Sequence, residues 1–146
     1  MSYGSSSKVN FFFDEVAPTI RDRKFLKQFI IYIFRTEKRK IQSINYVFSS
    51  DRAVHKINKE YLNHDTLTDV ITFELSKKGQ TIIGEVYISV DRVRENAVIH
   101  RSSFKKELHR VIFHGTLHLC GFRDKTIFEV KKMRAKENYY LKRYFG

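Results

Sequence analysis

Hydrophobic positions along this chain change period several times, and each change marks an element. Val9 to Phe13 is a short apolar run of strand type. Pro18 stands at the usual place for a helix start, and beyond it Phe25, Leu26, Phe29, Ile30, Ile33 and Phe34 recur at helical spacing. The basic cluster Lys38-Arg39-Lys40 ends that helix. Ile41 to Ser49 alternates, with Ile44, Tyr46 and Phe48 on one side, and predicts a strand. Asp51 is placed to cap a second helix whose apolar face carries Val54, Ile57 and Tyr61. A polar loop from Asn63 to Leu67 leads into a strand over Val70 to Phe73, the turn Lys77-Lys78-Gly79-Gln80 and a strand over Thr81 to Ser89. Three helices follow, over about Asp91 to His100, Ser103 to Cys120 and Thr126 to the C-terminus. Thr126 and Glu129 have capping-box spacing at the last start. Strands interleaved with helices predict an α/β (α+β) layer fold, a small mixed sheet packed with about five helices in one domain over residues 1–146. Residues 1–8 read as a flexible, Ser/Gly-containing tail.

Within the penultimate helix, His114 and His118 are four residues apart. That spacing sets them about 40° apart around the axis with Cβ atoms roughly 6 Å apart, so both imidazoles can reach one ion. Gly121 can take the left-handed conformation that ends a helix, turning the chain so that Asp124 swings back as a third ligand. Three protein ligands and an open position characterise a catalytic rather than a structural zinc site. Two His and one Asp suit one Zn²⁺ per chain, and they also accept Ni²⁺, Fe²⁺ or Mn²⁺. Zinc peptidases with the same His spacing use a Glu after the first His as general base. Here that position is Gly115, which can move no proton, so a peptide substrate is disfavoured and water activation falls to the ion itself.

Charge and cysteine content narrow the setting. Twenty-eight Lys and Arg against 16 Asp and Glu give a net charge of +12, the electrostatic footprint of a nucleic-acid partner. One cysteine allows no internal disulfide, which fits a reducing compartment and predicts a cytoplasmic protein. No stretch approaches the roughly 20 apolar residues of a membrane span. Glu107, two turns before His114 on nearly the same face, is placed to accept the second N–H of a ligand imidazole. His109 lies on another face, and Cys120 points away from His118 as a small buried residue.

Three ordered motifs carry a family resemblance. His114-Gly115-x-Leu117-His118-Leu119-x-Gly121-Phe122 resembles the signature H-G-x-L-H-L-x-G-Y, followed by Asp-His, of the YbeY family of bacterial endoribonucleases. Thr68-Asp69-Val70-Ile71-Thr72-Phe73 resembles the family's T-D-V-L-S-F strand, and Gly84-Glu85-Val86-Tyr87-Ile88 its G-(D/E)-x-x-I strand. Glu107 falls where the family often has Glu before the metal helix. The resemblance implies a metal-dependent, single-strand-specific endoribonuclease. Its task would be to mature ribosomal RNA, especially the small-subunit 3′ end, and to serve ribosome quality control. Its implied partners are ribosomal RNA, the small ribosomal subunit and assembly factors, with no membrane.

Two departures matter. Asp124 replaces the family's third His, and Arg123 precedes it where Asp is usual. The family's phosphate-holding Arg aligns with Leu62 and a nearby Lys with His64, so that role does not transfer to Leu62. Arg123 and His64 are the expected catalytic replacements, and Arg110, Lys125, Thr68 and Asp69 the expected RNA contacts. Two other readings compete: a non-catalytic RNA- or ribosome-binding module with a structural metal, and a metallohydrolase acting on another substrate.

Overall fold

The computed structural model describes residues 8–64 and 66–146; of the expected flexible tail, residues 1–7 lie outside the described part. Four strands form a mixed sheet in the order β1-β2-β4-β3: β1 (Val9–Phe13), β2 (Ile41–Ser49), β3 (Val70–Glu74) and β4 (Ile82–Ser89). β1 runs parallel to β2 with Val9 opposite Ile44, and β2 runs parallel to β4 with Ser49 opposite Ser89. β3 closes the other edge antiparallel to β4, with Val70 opposite Ile88. Alternation in β2 and β4 buries Ile44, Tyr46, Phe48, Val86 and Ile88 on one face and leaves Asn45 and Glu85 half-exposed on the other.

Five helices complete the arrangement: α1 (Arg23–Thr36), α2 (Asp51–Leu62), α3 (Val90–Ile99), α4 (Phe104–Leu119) and α5 (Ile127–Phe145). The expected α+β architecture is therefore present. Two starts differ from their sequence expectation. α1 begins at Arg23, not after Pro18, because Asp22 takes a left-handed conformation and its carboxylate accepts the Phe25 N–H. α2 is capped by Ser50 rather than Asp51, whose carboxylate is taken by Ser89 Oγ at 3.1 Å and Arg92 Nη2 at 2.9 Å. Tyr61, expected on the packed face of α2, is 72% exposed and meets Phe73 edge-on.

α4 is the helix that positions the site, and its approach to the sheet explains Gly115. A Cβ there would lie 2.6 Å from Val86 Cγ1, so only glycine lets the helix sit this close. One turn on, Gly84 of β4 accommodates Leu119 in the same way, an added Cβ meeting its methyls at 2.9 Å. Between them, Thr116 Oγ donates to the Ile112 carbonyl at 2.8 Å, and Tyr46 donates to the Thr116 oxygen at 2.6 Å. That buried chain ties the centre of β2 to α4, and burial raises the Tyr46 phenol far above its ordinary pKa.

Candidate metal centre

The turn after α4 is fixed at both ends by hydrogen bonds the backbone would otherwise lack. Gly121, at a φ of 104°, donates to His118 O at 3.0 Å, and Phe122 N–H donates to Leu117 O at 3.1 Å. Those two bonds are the Schellman closure of a helix C-terminus. Four residues later the capping box opens α5: Thr126 Oγ1 accepts from Glu129 N at 3.1 Å, and Glu129 Oε1 accepts from Thr126 N at 3.0 Å and Lys125 N at 3.1 Å. Asp124 lies between these clamps.

His114, His118 and Asp124 converge: one donor atom from each lies within 4.8 Å of the others. Asp124 Oδ2 is 3.2 Å from His114 Nε2, and Oδ1 is 3.3 Å from His118 Nε2. Donors on a shared tetrahedral zinc, each about 2.1 Å from it, sit roughly 3.4 Å apart, and each imidazole stands near that distance from a different Asp124 oxygen. All three groups keep partial exposure, from 21% at His114 to 36% at Asp124, so the cluster opens to solvent. The donor chemistry admits a divalent ion of borderline softness without selecting one.

A second carboxylate organises the first imidazole. Glu137 of α5 stands 2.6 Å from His114 Nδ1 and is only 5% exposed. Its other oxygen accepts from Arg110 Nη1 at 3.0 Å, with Arg134 Nη1 at 3.7 Å, while Arg110 Nη2 donates to Asn138 at 2.8 Å. With Nδ1–H committed to Glu137, the lone pair of His114 is presented at Nε2, toward Asp124. Burial pulls the His114 pKa down, but the Glu137 bond together with the charges of Glu137, Asp124 and Asp69 outweighs it and the net shift is upward. Burial acts upward on Glu137, yet His114 and Arg110 draw it below the usual carboxylate range. α5 is held for this purpose by Glu37, just after α1, which accepts from Lys136 Nζ at 3.0 Å and from the Tyr140 hydroxyl.

The remaining sequence expectations fare unevenly. Glu107 does not meet a ligand imidazole: its nearest ionic partner is His100, at 3.8 Å, and Glu137 has its expected place. The seven-residue spacing sets the Cα atoms about 10 Å apart along the axis, so a neighbouring helix supplies the nearer carboxylate. Arg110, expected on RNA, is engaged with Glu137 and Asn138. Arg123 is 69% exposed and faces Glu129 at 3.6 Å. Lys125 contributes its backbone to the cap, and Thr68 Oγ1 makes only a long local bond of 3.4 Å to Val70 O. His64 is exposed and lines no part of the cleft that holds His114. Asp69 does line that cleft, and burial raises its carboxyl pKa. Glu107 and Arg110 line it as well, and so do Asn96, His100, Arg134 and Glu137, which carry no signal in the sequence because each arrives from another element. His109 packs among Phe113, Tyr144 and Phe145, away from the ligands, and burial pushes the Cys120 thiol up to about 12.

Known proteins resemble this chain over most of its length. A family model described as endoribonuclease YbeY matches residues 13–145. The endoribonuclease YbeY of Cytophaga hutchinsonii is 42% identical over 131 residues, covering 90% of this chain and 92% of its own. That of Amoebophilus asiaticus is 38% identical over 135 residues, covering 92% of each. A solution structure of a Thermotoga maritima protein superposes with a TM-score of 0.58 at 26% identity, over 91% of this chain and 86% of that one.

Proposed function

The chain belongs to the YbeY family of endoribonucleases, and from that premise we propose that it cuts single-stranded ribosomal RNA. The proposed task is maturation of the small-subunit 3′ end and ribosome quality control, with the small subunit and its assembly factors as partners. The observation that carries the reading is the convergence of His114, His118 and Asp124 within 4.8 Å on a doubly clamped turn. These three are the proposed ligands of one Zn²⁺ per chain, and residues 1–146 are proposed to act as one domain. When bound, such an ion supplies Lewis acidity toward water and a phosphoryl oxygen.

The chain's own groups do the rest. Glu137 holds His114 in one tautomer and one ring orientation, and Arg110 and Arg134 keep that carboxylate ionised. The Gly115 position brings no competing base, so protons taken from an attacking water leave through the ligand cluster or solvent. No described helix is long and apolar enough to cross a membrane, and a cytoplasmic setting is part of the proposal. The relatives carry the endoribonuclease name, which favours neither a structural-metal binding module nor a hydrolase of peptides or small molecules.

The test is metal analysis of the purified protein beside cleavage of ribosomal RNA, with and without chelator. About one zinc per chain and chelator-sensitive cleavage of unpaired RNA are expected. Tightly retained metal without any cleavage would instead indicate the binding module.

A further inference from the structure

Cations around the candidate metal centre are largely neutralised: Arg110 and Arg134 face Glu137, and Arg123 faces Glu129. A phosphate-binding surface must come from cations without such partners. Several hollows hold such cations, and one gathers five of them. A groove of about 910 Å³ lies between the end of α1 and the β3–β4 hairpin, and it brings Lys38, Arg39 and Lys40 together with Lys77 and Lys78. All five are exposed, and among the described residues none makes an ion pair. The one carboxylate in the lining, Glu74, accepts a 3.4 Å bond from Ser76. Like charges gathered in a hollow repel one another, and a polyanion laid among them relieves that repulsion.

The groove also reaches the ligand turn. Leu119 and Gly121 form part of its wall, and Arg39 Nη2 lies 2.9 Å from where a Gly121 Cβ would be. Gly121 is three residues from Asp124, a stretch of chain that spans at most about 11 Å. Lys38 itself is held at a φ of 61°, the left-handed position after a helix that glycine usually fills. A lysine therefore stands there at a conformational cost of about 1 kcal/mol.

We propose that this groove, from the Lys77–Lys78 hairpin across Lys38 and Lys40 to Arg39 at the ligand turn, binds the phosphate backbone of single-stranded RNA and leads it to the metal centre. The inference rests on the nuclease reading above. It assigns the phosphate-holding task to residues far in sequence from Leu62, where the family's arginine is missing.

The experiment compares two double variants of the metal-loaded full chain. Lys77→Gln/Lys78→Gln removes two charges from the groove, and Lys56→Gln/Lys59→Gln removes two exposed charges from α2. Binding of a fluorescent single-stranded RNA is followed by anisotropy before measurable cleavage, over a range of salt, and initial rates give KM and kcat. Two lost phosphate contacts should flatten the salt slope by about 1.4 and weaken binding about tenfold near physiological salt. The groove variant should show that loss as a raised KM with kcat held, while the α2 variant stays within about twofold of the parent. Equal losses from the two variants would overturn the groove while leaving the nuclease reading intact. A parent protein that neither binds nor cuts RNA would overturn both.

Discussion

Gly115 and His114 are neighbours in sequence and, about 100° apart around the axis, belong to different faces of α4. One lets the helix rest against Val86, and the other holds an imidazole between Asp124 and Glu137. On the packed face the Thr116 hydroxyl is satisfied inside the fold, through the Tyr46–Thr116–Ile112 chain. On the cleft face His118 is left with Asp124 as its ionic partner and stays 30% exposed. The difference shows how a reactive site can be accurate without being tightly packed itself. The imidazoles inherit their positions from a helix whose other side cannot move, and a site on such an element is held more precisely than one on a loop.

The largest effects should come from the cleft face, and they should leave the fold alone. His118→Ala removes a proposed ligand, 30% exposed, from a helix anchored elsewhere, so metal content should fall from about one per chain to near zero with little change in melting. Asp124→Leu should do the same, and Asp124→His should keep the metal by restoring a third imidazole. Full metal content in both His118→Ala and Asp124→Leu, read by atomic emission, would show that the cluster is not the metal centre.

Glu137→Gln comes next. Loss of a carboxylate behind a ligand imidazole commonly costs 10–100-fold in metal affinity, and competition with a zinc chelator should register that loss. The metal-free protein adds a pH test. His114 has its pKa raised above 6.5, so its contribution to stability is complete below 6.5 and lost as pH rises through the raised value. Glu137 is lowered below 4.5, so its contribution is complete above 4.5 and lost as pH falls through the lowered value. Melting temperature should therefore peak between those limits, and Glu137→Gln should flatten the peak. An unchanged profile would mean that the pair does not form in solution.

Gly115→Ala tests the packed face. Helix propensity alone would stabilise the variant by about 1 kcal/mol. The clash with the stiff, buried Val86 should win, for a net loss of about 1–3 kcal/mol by denaturant unfolding, with the metal retained. A more stable variant would mean that the helix does not lie this close to β4.

How much of this was legible in the sequence depended on how local each signal was. Alternation in β2, the capping box at Thr126 and the glycine stop at Gly121 are written in residues close to one another, and all three appear where the pattern puts them. The two histidines and Asp124 were readable for the same reason, being joined by one helix turn and one loop. Glu137 was not. It reaches His114 across 23 residues and a helix–helix contact, and no periodicity reports which face of α5 turns toward α4. Glu107 illustrates the converse error: sharing a helix face with His114 gave proximity in angle but not along the axis. The glycine at 115 was read as a missing base, whereas its steric role depends on Val86, 29 positions earlier in the chain.

The smallest expected effect separates the cleft face from the turn that follows it. Arg123 stands one residue before Asp124, and sequence proximity made it the favoured phosphate-holding residue. Its guanidinium is 69% exposed and 3.6 Å from Glu129, whose carboxylate is held below the usual range first by the Thr126 backbone N–H. An exposed pair of this kind contributes little to stability. Arg123→Gln should therefore change stability by less than about 0.5 kcal/mol. Metal content should hold, and kcat at saturating RNA should stay within about twofold. Glu129→Ala, by contrast, opens the capping box and should lower the melting temperature, with weaker metal retention because one clamp on Asp124 is lost. The two variants break the same ion pair, so they differ only through the cap. A tenfold fall in kcat for Arg123→Gln would return that residue to the chemistry, and the groove beneath Gly121 would then share its phosphate with a second cation beside Asp124.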